Sequence, residues 1–114
     1  LVWAYIGDAV YEMFIRTYLV KKSTAKPNKL HIESIKYVKA QAQANILKRL
    51  DEILTEKEKD IVRRGRNAES HHLPKNANAA DYSQSTAFEA LIGYLFLNKN
   101  NDRLKEILNF AISE

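Results

Sequence analysis

The chain has 114 residues, of which 46% are hydrophobic and 28% charged, enough to bury one core and too apolar for a disordered polymer. Three glycines and two prolines are too few for a turn-rich β architecture, and the absence of cysteine excludes disulfides and thiolate zinc sites. The net charge of +4 divides into +6 over residues 1–50, −3 over 51–60, +2 over 61–82 and −1 over the rest, a distribution that suits an anionic polymer as partner. No apolar run is long enough to span a bilayer and no basic-then-apolar leader is present, so a cytoplasmic protein with no membrane partner is the expectation.

The first element is a helix over about 1–19, in which Val2, Ile6, Val10, Met13, Phe14 and Leu19 recur at helical spacing. Gly7 interrupts it at a cost of up to roughly 1 kcal/mol relative to alanine, which implies a packing role. Lys21 to Lys29 form a polar linker containing Pro27, with Asn28 able to cap the next helix and four lysines (Lys21, Lys22, Lys26 and Lys29) able to extend a phosphate-binding rim. A single long helix is then expected over about 29–50, its apolar side carrying Ile32, Ile35, Val38, Ala42, Ile46 and Leu50. Lys36, Lys39, Gln41, Gln43 and Lys48 form its polar outer face. Thr55 and Glu58 have capping-box spacing and start a helix reaching residues 64–66. A loop over 65–83 comes next, then the most apolar helix, over about 83–97, and a last helix capped by Asp102 that runs through Leu104, Ile107, Leu108 and Ala111. The expected architecture is all-α, with five helices and no strand.

Two acids stand in apolar helical settings far apart in the chain. Asp8 lies between Ile6-Gly7 and Ala9-Val10, and Glu89 is surrounded by Ala87, Phe88, Ala90, Leu91 and Ile92. An ionised carboxylate in such surroundings needs a counter-charge, a proton or a cation, and two acids brought together repel unless a divalent metal is shared. A buried ion pair with an Arg or Lys is the structural alternative for Glu89. Glu12, one turn beyond Asp8 on the same face, can share a metal with it or support it from behind, with Arg16 a further turn along as counter-charge. Gly93, one turn after Glu89, permits close approach of another backbone or of a second copy. The loop adds a candidate reader of phosphate and ribose: Arg63, Arg64, Arg66, Asn67, His71, His72, Lys75 and Asn76. Adjacent histidines without a third ligand make a zinc site at His71 and His72 a poor reading.

The segment Tyr5-Ile6-Gly7-Asp8-Ala9-Val10 resembles the signature helix of the ribonuclease III endonuclease domain, and Glu89-Ala90-Leu91-Ile92-Gly93 resembles its second acidic motif. The likeness extends, in order, through Arg64-Gly65-Arg66-Asn67-Ala68, Pro74-Lys75-Asn76 and Ser85-Thr86-Ala87-Phe88-Glu89, and is nearest to the short Mini-ribonuclease III branch of that family, which lacks the double-stranded-RNA-binding domain. The resemblance implies a helical bundle occupying 1–114 as a single catalytic domain, a homodimer, and magnesium-dependent cleavage of double-stranded RNA that leaves 5′ phosphates, with manganese as a substitute ion. It further implies trimming of the 23S precursor of large-subunit ribosomal RNA, assisted by a ribosomal protein bound to that RNA. By position, Asp8 and Glu89 are the metal-binding catalytic acids. Full-length ribonuclease III carries further acids where this chain has Ala4 and Thr86, replacements that the short branch shares. The competing expectation is a catalytically inactive ribonuclease III fold that serves as an RNA-binding scaffold.

Overall fold

The segment from Ala87 to Leu97 is apolar on almost every side, so as part of a helix it can be stable only with neighbours all round it. In the computed structural model, which describes residues 2–68 and 78–113, this segment lies in the central helix. In chain order the elements are α1 (Val2–Lys22), α2 (Pro27–Val38), α3 (Ala40–Leu50), a 3₁₀ turn (Asp51–Ile53), α4 (Glu56–Asn67), α5 (Ala79–Leu97) and α6 (Asn101–Ile112), with no strand among the described residues. Helix α5 packs against α1, α4, α3 and α6, while α2 lies across α1. No described helix is long and apolar enough to cross a membrane.

The core joins Tyr11, Ile15 and Leu19 of α1, Ile46, Leu47 and Leu50 of α3, Phe88, Leu91, Ile92 and Leu95 of α5, and Leu104, Ile107 and Leu108 of α6. Tyr11 meets Phe88 edge to face, the rings 4.9 Å apart. The inward stripe of α1 is therefore Ala4, Gly7, Tyr11, Ile15 and Leu19, whereas Val2 and Met13, expected to face inward, are 69% and 68% exposed. Composition could not separate these stripes because α1 is apolar on both.

Several boundaries differ from expectation. The helix over 29–50 is broken at Lys39, whose ψ of 153° ends α2 and begins α3. Neither Gly nor Pro lies at the break; its cause is tertiary. The break frees the last carbonyls of α2, and two buried side chains take them: the Tyr11 hydroxyl donates to the Tyr37 oxygen at 3.1 Å, and Gln43 Nε2 donates to the Val38 oxygen at 2.8 Å. Gly65 belongs to α4 rather than to a loop, and α5 starts a turn early, at Ala79, where the Asn78 side chain accepts from the Asp81 backbone nitrogen at 3.1 Å. Asp102 does not cap α6; Asn100 holds that position, after Lys99 reverses the chain with φ 58°.

The expected capping box is present at Thr55 and Glu58, and it extends into an ion pair that ties α4 to α6. Arg103 donates through Nε and Nη2 to the two Glu58 oxygens, each at 2.8 Å, and through Nη2 to the Ile53 oxygen at 2.6 Å. Hydrogen bonding from Arg103 holds the Glu58 carboxyl below the usual glutamate range. Replacing Arg103 by methionine should leave a buried carboxylate unpaired and lower the unfolding free energy by about 3 kcal/mol, read from urea midpoints. Adding Glu58→Gln should return part of that loss, whereas an unchanged midpoint in Arg103→Met would show the pair to be idle.

Candidate active site

Gly7 and Gly93 face each other where α1 crosses α5. A methyl group at Gly7 would overlap the Glu89 carbonyl oxygen and stand 2.8 Å from the Gly93 nitrogen, and one at Gly93 would overlap the Trp3 carbonyl oxygen. The two backbones thus touch without side chains between them, as only glycine allows. This contact settles the expectation about Gly93: the backbone that approaches it is α1 of the same chain. Asp8 follows Gly7, and Glu89 lies one turn before Gly93, so the crossing places the two acids side by side.

Glu89 is partly buried and Asp8 is exposed. The Glu89 carboxyl is pushed up to about 8, first by burial and then by the charge and hydrogen-bonding reach of Asp8, while the Gln43 amide acts in the opposite sense. Gln43 Nε2 donates to Glu89 Oε2 at 3.3 Å. At neutral pH without a cation Glu89 therefore keeps its proton, as burial beside a second carboxylate requires. A divalent cation at this place would take over that proton's role, since carboxylate oxygens are the donors that hard cations prefer. The donor set fits such an ion.

Glu12 forms an ion pair with Arg16 at 3.6 Å, and among the described residues no three His, Asp or Glu side chains converge on one point. The basic residues at the end of α4 divide between two faces. Arg63 pairs with Asp60 and, with Arg66, Lys48 and Lys59, lines a cleft of about 680 Å³ between α3, α4 and α5. Arg64 reaches Asp60 Oδ2 at 3.4 Å and lies 6.0 Å from the centre of the Trp3 ring. Asn67 is the last residue of α4. His71, His72, Lys75 and Asn76 lie outside the described residues.

Gln43 is the residue that the sequence reading misplaced. Expected on the outer face, it is 2% exposed. The signal was its position on the stripe Gln43-Ile46-Leu47-Leu50, where an amide interrupts an otherwise apolar core face.

An all-helical domain in which two helix-borne acids meet across a glycine contact is a candidate metal-dependent phosphodiester hydrolase. Comparison with known proteins agrees in class. Residues 1–100 match the family model described as the Ribonuclease III domain. The chain is 50% identical over 111 residues to Mini-ribonuclease 3 of Symbiobacterium thermophilum, covering 97% of this chain and 85% of the relative. It is 49% identical over 115 residues to Mini-ribonuclease 3 of Staphylococcus aureus, covering 99% and 86%. A crystal structure of a protein from Fusobacterium nucleatum superposes with a TM-score of 0.86 at 31% identity, over 96% of this chain and 88% of that one. The chain belongs to the ribonuclease III domain family, a family of endoribonucleases.

Proposed function

We propose that this chain is an endoribonuclease that cleaves double-stranded RNA with magnesium, or manganese in its place, held by Asp8 and Glu89. The observation that carries the reading is the meeting of these two acids across the Gly7–Gly93 contact, with Glu89 pushed up to about 8. When bound there, the ion supplies positive charge at the scissile phosphate and lowers the pKa of a hydrolytic water. The chain's own part is to hold the two carboxylates at one place and to release the proton that Glu89 carries. The buried α1–α5 contact fixes both acids on rigid helices, as precise placement requires.

Arg63, Arg64, Arg66 and Asn67, together with His71, His72, Lys75 and Asn76, are proposed to contact phosphate and ribose. Because two faces of α4 are involved, the duplex would be read by shape more than by base. The substrate in the cell is proposed to be the precursor of 23S ribosomal RNA in the cytoplasm, with a large-subunit ribosomal protein presenting the RNA. The reading is tested with a duplex stem from that precursor and a control duplex of shuffled sequence, mapping the ends formed in magnesium. Internal cuts that leave 5′ phosphates support it; binding without cutting overturns it in favour of an RNA scaffold.

A homodimer is part of the proposal. Val2, Tyr5, Met13 and Val20 form an exposed apolar stripe on α1, and Tyr5 is 80% exposed. Such a stripe, headed by a large aromatic, suits a self-complementary helix contact. Tyr5→Asp should convert the protein to a monomer in light scattering and lower duplex affinity at least tenfold, while circular dichroism stays helical. A Tyr5→Asp protein that remains dimeric would remove this stripe from the interface.

A further inference from the structure

Gln43 performs two tasks with one amide group. Its Nε2 donates to the Val38 carbonyl at 2.8 Å and to Glu89 Oε2 at 3.3 Å, and the side chain is buried. A carbonyl oxygen can only accept, so Val38 fixes which end of the amide faces it: the NH₂ end. The same NH₂ end is thereby turned toward Glu89, where it donates to a carboxylate oxygen. Gln43 Oε1 is buried and has no hydrogen-bond partner among the described residues. An amide free to choose would satisfy both ends; this one is held in an orientation that leaves one buried acceptor unpaired.

The break at Lys39 is what makes the orientation possible. In an uninterrupted helix the Val38 carbonyl would accept from the backbone nitrogen four residues on. Because α2 stops at Val38, that carbonyl is free to anchor Gln43, and Tyr11 closes the neighbouring Tyr37 carbonyl from α1. The chain from helix break to amide to carboxylate therefore runs Lys39, Val38, Gln43, Glu89.

We propose that Gln43 is a positioning residue that holds Glu89 in the orientation in which its carboxylate takes a divalent cation. The inference rests on the reading of Asp8 and Glu89 as the cation site and extends it to a residue on a third helix. Groups that orient a metal's ligands from behind affect metal affinity by about 10–100-fold when removed. A residue serving only to cap α2 would alter stability and leave cation affinity unchanged.

The test measures manganese binding directly, by electron paramagnetic resonance, in wild type, Gln43→Met and Asp8→Asn, with duplex RNA binding in EDTA as the control. Methionine keeps the length of glutamine and removes the donor. The expected result is at least a tenfold loss of manganese affinity in Gln43→Met, a matching rise in the magnesium concentration for half-maximal cleavage, and unchanged duplex binding. Wild-type manganese affinity in a folded Gln43→Met protein overturns the inference and leaves the Asp8–Glu89 reading standing. If Asp8→Asn binds manganese as wild type does, the cation site itself is misassigned and both fall. Should Gln43→Met not fold, the wild-type protein answers alone: the Gln43 side-chain NH₂ resonance is expected to shift on magnesium titration with the midpoint of cleavage. A resonance that stays put overturns the proposal.

Discussion

Glu89→Gln is expected to abolish cleavage and at the same time make the cation-free protein more stable. The fold keeps the Glu89 carboxyl protonated up to about pH 8, whereas an unfolded chain ionises it near 4.3. Between those values the native state binds the extra proton, so the stability of wild type in EDTA falls as pH rises. The contribution is intact below the unfolded value, declines across the window, and is fully lost above pH 8. A neutral amide has no such dependence. Urea unfolding in EDTA should therefore show the Gln variant more stable by about 2 kcal/mol at pH 7 and equal to wild type near pH 4. Saturating magnesium should raise the stability of wild type and leave the variant unmoved. Cleavage should fall by roughly 10³-fold or more, because charge stabilisation at the phosphate is lost with the ligand. A variant that is less stable at pH 7, or that still cuts, would contradict the Asp8–Glu89 site.

The second large effect is expected at the helix crossing. Gly93→Ala would drive a methyl group into the Trp3 carbonyl, and Gly7→Ala would drive one into the Glu89 carbonyl. Neither obstacle is a side chain that can swing aside, so α1 and α5 must separate. Each substitution should cost about 3 kcal/mol or more in unfolding free energy. Any folded fraction should lose activity at least about 100-fold, since separation of the helices pulls Asp8 from Glu89. Urea midpoints and single-turnover cleavage read the two losses separately. Wild-type values for Gly93→Ala on both would mean that the backbones are not in contact.

Much of this was legible in the residues. The apolar run around Glu89 marks a central helix, the spacing of Thr55 and Glu58 marks a helix start, and Gly7 in a helix marks a close contact. The sequence could not say what Gly93 faces, because glycine announces room for an approach without naming the visitor. It also hid the inner stripe of α1, where Val2, Tyr5, Met13 and Val20 are as apolar as the residues that reach the core. The break at Lys39 was illegible for a different reason. No Gly or Pro lies within 29–50 to mark a break, and the interruption is held by Tyr11 and Gln43 through contacts that only the folded chain makes. Gln43 was misplaced for a simpler reason: an amide reads as a surface residue, although its spacing to Ile46, Leu47 and Leu50 sets it on the inward stripe of α3.

The most direct test of the central claim is cleavage of a long duplex RNA by wild type and by Asp8→Asn, in magnesium and again in EDTA, with duplex binding measured alongside. Magnesium-dependent cutting by wild type, none by Asp8→Asn, and equal duplex binding by both are the expected results. Cutting that persists in Asp8→Asn, or wild type that binds duplex RNA and never cuts it, would contradict the claim.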